Sequence, residues 1–269
     1  MKTLRLASSL IGTLVTFDHG WAQAPDLRKP DNRPSQAIAQ PDPKFRREVV
    51  DANSAPWSSI GKVGNSIGGQ CTGTVIGSNR FLTAAHCLYN KAAHRFIFAG
   101  SIHLLLGYVR EQYRVHAVAV NYTVPPGFDP AGTPGSFADD WAVLNVSNPF
   151  PSDIKPLPMA EGLPPRGTAV SVAGYARERL YMMTADPHCR VAATPPDGKL
   201  IAHDCVLEPG DSGGPLLGSG AAGETVLLGV NVASPRGKDA KGGLGVSAAS
   251  IEKFLAAAGT PEPPGQTGR

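Results

Sequence analysis

The sequence predicts an all-β fold, and three observations carry that prediction. From Val49 onward, short apolar runs are separated by Gly, Asn and Pro, the texture of strands joined by tight turns. Within residues 113–120, Tyr113, Val115, Ala117 and Ala119 alternate with Arg114 and His116, the period of two of a half-buried strand. Glycine and proline, 31 and 25 of the 269 residues, supply about a fifth of all positions, and they do so without the G-X-Y period of collagen.

The chain opens with Met1, Lys2 and Arg5, then an uncharged apolar stretch from Leu6 to Phe17, then the small-x-small triplet Ala22-Gln23-Ala24. These are the three parts of a secretory signal peptide over 1–24. The apolar stretch is about a dozen residues long, whereas a membrane span needs roughly 20. Secretion to the periplasm or the medium is expected, with no membrane contact after signal removal. Residues 25–48 hold five prolines and six basic residues with almost no apolar run, so they read as a propeptide or linker that cannot bury enough surface to fold alone.

Candidate strands follow at 71–76, 80–84, 95–98, 113–120 and 141–146. Residues 147–168 then carry six prolines in 22 positions. Each proline removes a ladder donor, so this stretch is expected to connect two halves, 49–146 and 169–258, and not to lie in a sheet. In the second half the candidate strands are 169–173, 200–207, 214–217, 225–232 and 243–246. Residues 247–258 read as a helix capped by Ser247, with Ile251, Phe254 and Leu255 at helical spacing and Gly259 as its stop. The polar, proline-bearing tail 259–269 is expected to be disordered.

Basic residues number 25 against 22 acidic ones, a net charge of +3, too small and too dispersed for a polyanion-binding surface. Nucleic acid is not an expected partner. Four cysteines, Cys71, Cys87, Cys189 and Cys205, form an even set in a chain that reads as exported, which favours two disulfides; arithmetic alone allows three pairings. No C-x-x-C spacing occurs, and His86 and His188 each stand directly beside a cysteine, where two metal ligands rarely converge. No metal and no cofactor is expected.

The strongest chemical signal is Gly210-Asp211-Ser212-Gly213-Gly214-Pro215. Such a hexapeptide arises by chance in a chain of this length with a probability on the order of one in 10⁵. A serine between glycines sits on a turn whose bare backbone lets a carbonyl approach the hydroxyl while nearby N–H groups point at the same spot. A serine hydroxyl is a poor nucleophile at neutral pH and needs a base and an orienting acid. Leu82-Thr83-Ala84-Ala85-His86-Cys87 places a histidine at the end of an apolar strand, and Asp139-Asp140-Trp141-Ala142-Val143-Leu144 places an acid at the mouth of another. The chain order His, Asp, Ser is one used for this chemistry.

TAAHC, DWAVL and GDSGGP, in this order, resemble the three signature motifs of the trypsin/chymotrypsin-like serine endopeptidases, over roughly residues 49–258. The resemblance implies two packed six-stranded antiparallel β-barrels, followed here by the C-terminal helix, with the catalytic groups between the barrels. It assigns Ser212 as nucleophile, His86 as general base and then acid, Asp140 as the group that holds the imidazole, and the N–H groups of Gly210 and Ser212 as the oxyanion hole. Asp139 is the rival acid, but DWAVL aligns Asp140. Cys71 and Cys87 resemble the family's disulfide around the catalytic histidine, which leaves Cys189 and Cys205 for each other. The implied substrates are proteins or peptides and the implied state is a monomer.

Family members often order the oxyanion hole with a new amino terminus paired to the Asp before the nucleophile, and processing near residues 47–49 is expected to deliver the Val49 amine to Asp211. Counting back six residues from Ser212, where a trypsin-like pocket carries an Asp, reaches Val206. Glu208 is nearer, but Pro209 beside it leaves its direction open. The segments around residues 203–209 and 229–231 are similar to bacterial glutamyl endopeptidases, although the position matching their substrate-recognising His is Asn231. A neutral pocket of Val206, Asn231 and Ser234 is expected to take small or apolar residues. The full triad argues against a catalytically inactive homologue that acts as a binding module.

Overall fold

The computed structural model describes residues 47–234 and 242–257. The expected signal peptide, residues 25–46 of the expected linker and the expected tail lie outside the described residues. The first half contributes β1 (Glu48–Val49), β2 (Ile60–Asn65), β3 (Gln70–Gly77), β4 (Arg80–Thr83), β5 (Tyr89–Asn90), β6 (Arg95–Phe96), β7 (Ile102–Leu106), β8 (Val115–Thr123) and β9 (Ala142–Val146). The second contributes β10 (Ala169–Gly174), β11 (Thr184–Ala193), β12 (Leu200–His203), β13 (Pro215–Ser219), β14 (Thr225–Ala233), β15 (Gly243–Ser247) and α1 (Ala248–Ala257).

Strands β2-β3-β4-β9-β8-β7 close into an antiparallel barrel. A second sheet runs β1-β11-β10-β13-β14-β15-β12, and the further pairing of β11 with β12 closes its last six strands into a ring. Two six-stranded barrels and one C-terminal helix are thus the architecture, with β1 added outside the second ring. β1 pairs Glu48 with Ala185 and Val49 with Thr184, so the expected boundary between linker and domain at residues 48 and 49 falls inside a strand. Arg47 and Glu48 belong with the second barrel.

Five strands have no counterpart in the sequence expectation, the two-residue β1 and β5 and the longer β2, β7 and β11. β7 (IHLLL) alternates cleanly, with Ile102, Leu104 and Leu106 fully buried. β2 (IGKVGN) is broken in pattern by two glycines; Gly61 is required because a Cβ there would sit 2.7 Å from a Leu106 methyl. β11 contains Pro187, and the register with β10 shifts between Val170 and Val172, so the proline rides on a bulge where no ladder donor is needed. β12 ends at His203, short of the expected 207, because the chain leaves the sheet there towards the serine turn. The helix starts where expected: Ser247 Oγ accepts the Ser250 N–H at 3.2 Å as its cap.

The core of the first barrel is built from Val63, Val75, Phe81, Leu82, Leu104 and Leu144, all essentially inaccessible. The proline-rich stretch 147–168 runs between the two barrels and bonds to both. Leu157 N–H donates to Val75 at 3.0 Å, Ala160 N–H donates to Leu227 at 2.9 Å, and Leu227 N–H returns to Pro158 at 2.8 Å.

Candidate active site

β4 delivers the chain into a short turn, residues Ala85–Leu88, which carries His86. The disulfide Cys71–Cys87 ties that turn back to β3, and Cys189–Cys205 ties β11 to the segment after β12. Asp140 follows the turn of residues Pro134–Asp139 and precedes β9. Because β4 and β9 are neighbours, pairing Thr83 with Ala142, the two strand ends bring His86 and Asp140 together. One carboxylate oxygen accepts the His86 backbone N–H at 2.8 Å and the other meets Nδ1 at 2.7 Å. Asp140 is buried while the imidazole is about a quarter exposed. Asp139 turns elsewhere, its carboxylate lying against Gly127.

The serine lies on the turn 209–214, where Gly210 has φ +108° and Gly213 φ +79°, conformations that other residues adopt only with strain. Gly213 is further confined, since a Cβ there would run into Thr83 Oγ1 and the Thr72 carbonyl. Barrel one grips this turn through Thr72. Its N–H donates to the Ser212 carbonyl at 2.9 Å, and its Oγ1 donates to the Gly210 carbonyl at 2.8 Å while accepting the Tyr175 N–H at 3.0 Å. The Cys87 sulfur lies 3.7 Å from the same Ser212 carbonyl, which puts the serine's backbone beside the histidine's turn. Gly213 N–H donates to Asn231 at 2.7 Å and Gly214 N–H to Asp211 at 2.8 Å. Among the described residues, the N–H groups of Gly210 and Ser212 donate no hydrogen bond.

In the continuous chain Val49 is the second residue of the two-residue strand β1, paired with Thr184, and the Asp211 carboxylate is met by the Arg47 guanidinium, Nη1 to Oδ2 at 2.7 Å and Nη2 to Oδ1 at 3.0 Å. Burial pushes the Asp211 carboxyl up from the usual range, opposed by the Arg47 charge and by the Glu208 N–H, 2.8 Å from Oδ2. Glu208 is also held up, by burial first and then by the neighbouring Glu178 and Asp211 carboxyls, with Arg47 pulling the other way.

Among the expected pocket residues, Val206 is half-buried and its N–H donates to Asp186 at 3.0 Å. Asn231 is buried, and its Nδ2 donates to the carbonyls of Gly214 and Pro215, each at 3.1 Å. Ser234 is exposed at the end of the described segment. His203 belongs with them although its sequence context does not show it. Its Nδ1 accepts the Cys205 N–H at 3.3 Å, which leaves Nε2 to donate to Asn231 Oδ1 at 3.0 Å. Burial lowers its pKa to about 4, so the ring is neutral. Asn231, at the position where the relatives' histidine was expected, therefore holds a histidine from β12. Cys71, His86 and Cys87 place their ligand-type atoms within 4.8 Å of one another, but both sulfurs are spent on a disulfide and His86 Nδ1 on Asp140.

Two six-stranded barrels, with a His–Asp pair on one and a glycine-framed serine turn on the other, define the class of two-barrel serine-peptidase-like proteins. The trypsin family matches residues 45–256, and the chain belongs to that family. It is 29% identical over 175 residues to serine protease SP24D of Anopheles gambiae, covering 55% of this chain and 58% of that protein. It is 26% identical over 136 residues to a glutamyl endopeptidase of Bacillus licheniformis, covering 50% and 41% respectively. The chain spans about half the length of the curated relatives it matches. A solved glutamyl endopeptidase structure superposes with a TM-score of 0.65 at 22% identity, covering 78% of this chain and 95% of that one, a likeness of fold.

Proposed function

We propose that the chain is a secreted serine endopeptidase that hydrolyses peptide bonds through an acyl-enzyme on Ser212. The observation that supports this most directly is the two-point grip of Asp140 on His86. A carboxylate on Nδ1 keeps the proton on that nitrogen, so Nε2 presents a lone pair and acts as the base. His86 takes the Ser212 proton as the hydroxyl attacks the substrate carbonyl, then returns it to the leaving amine. The oxyanion is received by the N–H groups of Gly210 and Ser212, which donate no hydrogen bond among the described residues. The signal-like segment 1–24 and the two disulfides support export.

The same reading gives the substrate class. At the pocket, Asn231 and His203 satisfy each other, the imidazole is neutral, and Asn231 Nδ2 is occupied by two carbonyls. Neither a free donor for a substrate carboxylate nor an acid for a substrate cation remains among these residues, so small or apolar side chains before the scissile bond fit best. Fluorophosphonate labelling and digestion of a peptide library, each run beside Ser212→Ala, test both statements. Labelling and cleavage lost in the variant are expected, with cuts after small or apolar residues. A wild-type protein that takes neither label nor peptide would instead identify an inactive, binding-only homologue, and cuts after Glu would overturn the pocket assignment.

A further inference from the structure

Arg47 lies in a segment whose sequence reads as a cleavage region, yet it is 5% exposed and Asp211, 164 positions away, is 1% exposed. β1 explains the burial: pairing of Glu48 and Val49 with β11 points Glu48 to solvent and Arg47 inward, and Val50 N–H extends the ladder to Met183 at 3.2 Å. A guanidinium has five N–H donors, and here five hydrogen bonds are made. Nε donates to Thr184 Oγ1 at 3.0 Å, and Nη2 to the Thr184 carbonyl at 2.9 Å and to Asp211 Oδ1. Nη1 donates to Asp211 Oδ2 and to the Val206 carbonyl at 2.9 Å. A parallel fork on a carboxylate with every remaining donor used is a built site and not a chance contact. An ammonium, with three donors, cannot reproduce it.

We propose that Arg47 is a permanent positioning cation for the Ser212 turn, so that the turn is formed in a chain still continuous through Arg47, Glu48 and Val49, with no need for a free amine at Val49. This rests on the reading of Ser212 as the nucleophile. By fixing Asp211, Arg47 fixes the two amides that flank it, those of Gly210 and Ser212; by holding the Val206 carbonyl, it fixes one wall of the pocket with the same group. Gly174 leaves no slack behind the carboxylate, since a Cβ there would stand 2.5 Å from Asp211 Oδ1. Glu208 and Glu178 are the further carboxyls at this position. Any processing that keeps the site intact then cuts before Arg47.

The test uses the full-length chain as secreted. Fluorophosphonate labelling rates are measured for wild type, Ser212→Ala, Arg47→Ala and Arg47→Lys, with circular dichroism on each, and the labelled wild-type species is sequenced from its amino terminus. The expected results are a labelled species that starts at or before Arg47, a loss of labelling on the order of 100-fold in Arg47→Ala at unchanged fold, partial recovery when guanidinium ion is added, and a smaller loss in Arg47→Lys. A labelled species that starts at Val49, or an Arg47→Ala variant that labels at the wild-type rate, overturns the proposal while leaving the endopeptidase reading intact. If Arg47→Ala does not fold, Arg47→Lys decides, and a wild-type rate there overturns it. If wild type labels no better than Ser212→Ala, the endopeptidase reading fails and this inference fails with it.

Discussion

Asp140 and Asp211 are both buried carboxylates that meet a base through two hydrogen bonds, and they do opposite work. Asp140 faces an imidazole, a ring that can both donate and accept a proton and that is partly open to solvent. Asp211 faces a partner whose charge is fixed and that is sealed from solvent. On the mechanism proposed above, the first pair changes its state in every turnover and the second holds one state throughout. Chemistry and scaffolding are thus separated by the choice of base, with the acid the same.

Breaking the first pair has the largest expected effect. Asp140→Asn should keep the fold but lower kcat by about 10⁴-fold, the loss characteristic of trypsin-family triads, because the amide favours the wrong imidazole tautomer; steady-state kinetics on a cleaved peptide measures it. Breaking the second pair is expected to act on stability as well as on rate. Asp211→Ala strands a buried guanidinium and should cost about 3–5 kcal/mol in urea unfolding. The double variant Arg47→Met/Asp211→Leu should regain most of that stability and little of the activity, which separates the structural from the positioning role.

The two disulfides sharpen the contrast further. Each closes a loop of sequence separation 16, so loop entropy assigns them nearly equal contributions of about 3 kcal/mol. Replacing Cys71 and Cys87 by Ser should nevertheless lower kcat more than replacing Cys189 and Cys205, because the first bridge holds His86's turn against the Ser212 carbonyl. His203 gives an effect of similar size that appears only with pH. Its folded-state pKa of about 4 lies below the ordinary 6.5, so the unfolded chain binds the proton first. Stability is complete above about pH 6.5 and falls as pH drops towards 4, by on the order of 3 kcal/mol. Urea midpoints against pH should show this limb in wild type and a flatter one in His203→Gln. The smallest effect is Ser247→Ala, which removes the helix cap and the 2.7 Å bond to the Gly198 carbonyl at a cost of about 1 kcal/mol.

What the sequence made legible follows from the range of the interactions. His86, Asp140 and Ser212 each stand inside a five- or six-residue motif, because each is set by the local turn or strand end that carries it. Proline density marked 147–168 as a connection, since a missing donor is a property of one residue. Arg47 was hidden because its partner is 164 positions away, and because basic residues before Val49 look the same whether they are cut or buried. His203 was hidden for the same reason, its bond to Asn231 joining β12 to β14 across 28 positions. Pro187 concealed β11, as a bulge in a sheet cannot be told from a loop by composition.

Thr72 carries a consequence for motion. One residue of β3 bonds the carbonyls of both Ser212 and Gly210 and receives the Tyr175 amide, so the seam between the barrels and the shape of the Ser212 turn are secured by the same atoms. Any breathing that parts the barrels at this point dismantles the turn in the same event. The Thr72 amide should therefore be among the last in the molecule to exchange its proton with solvent.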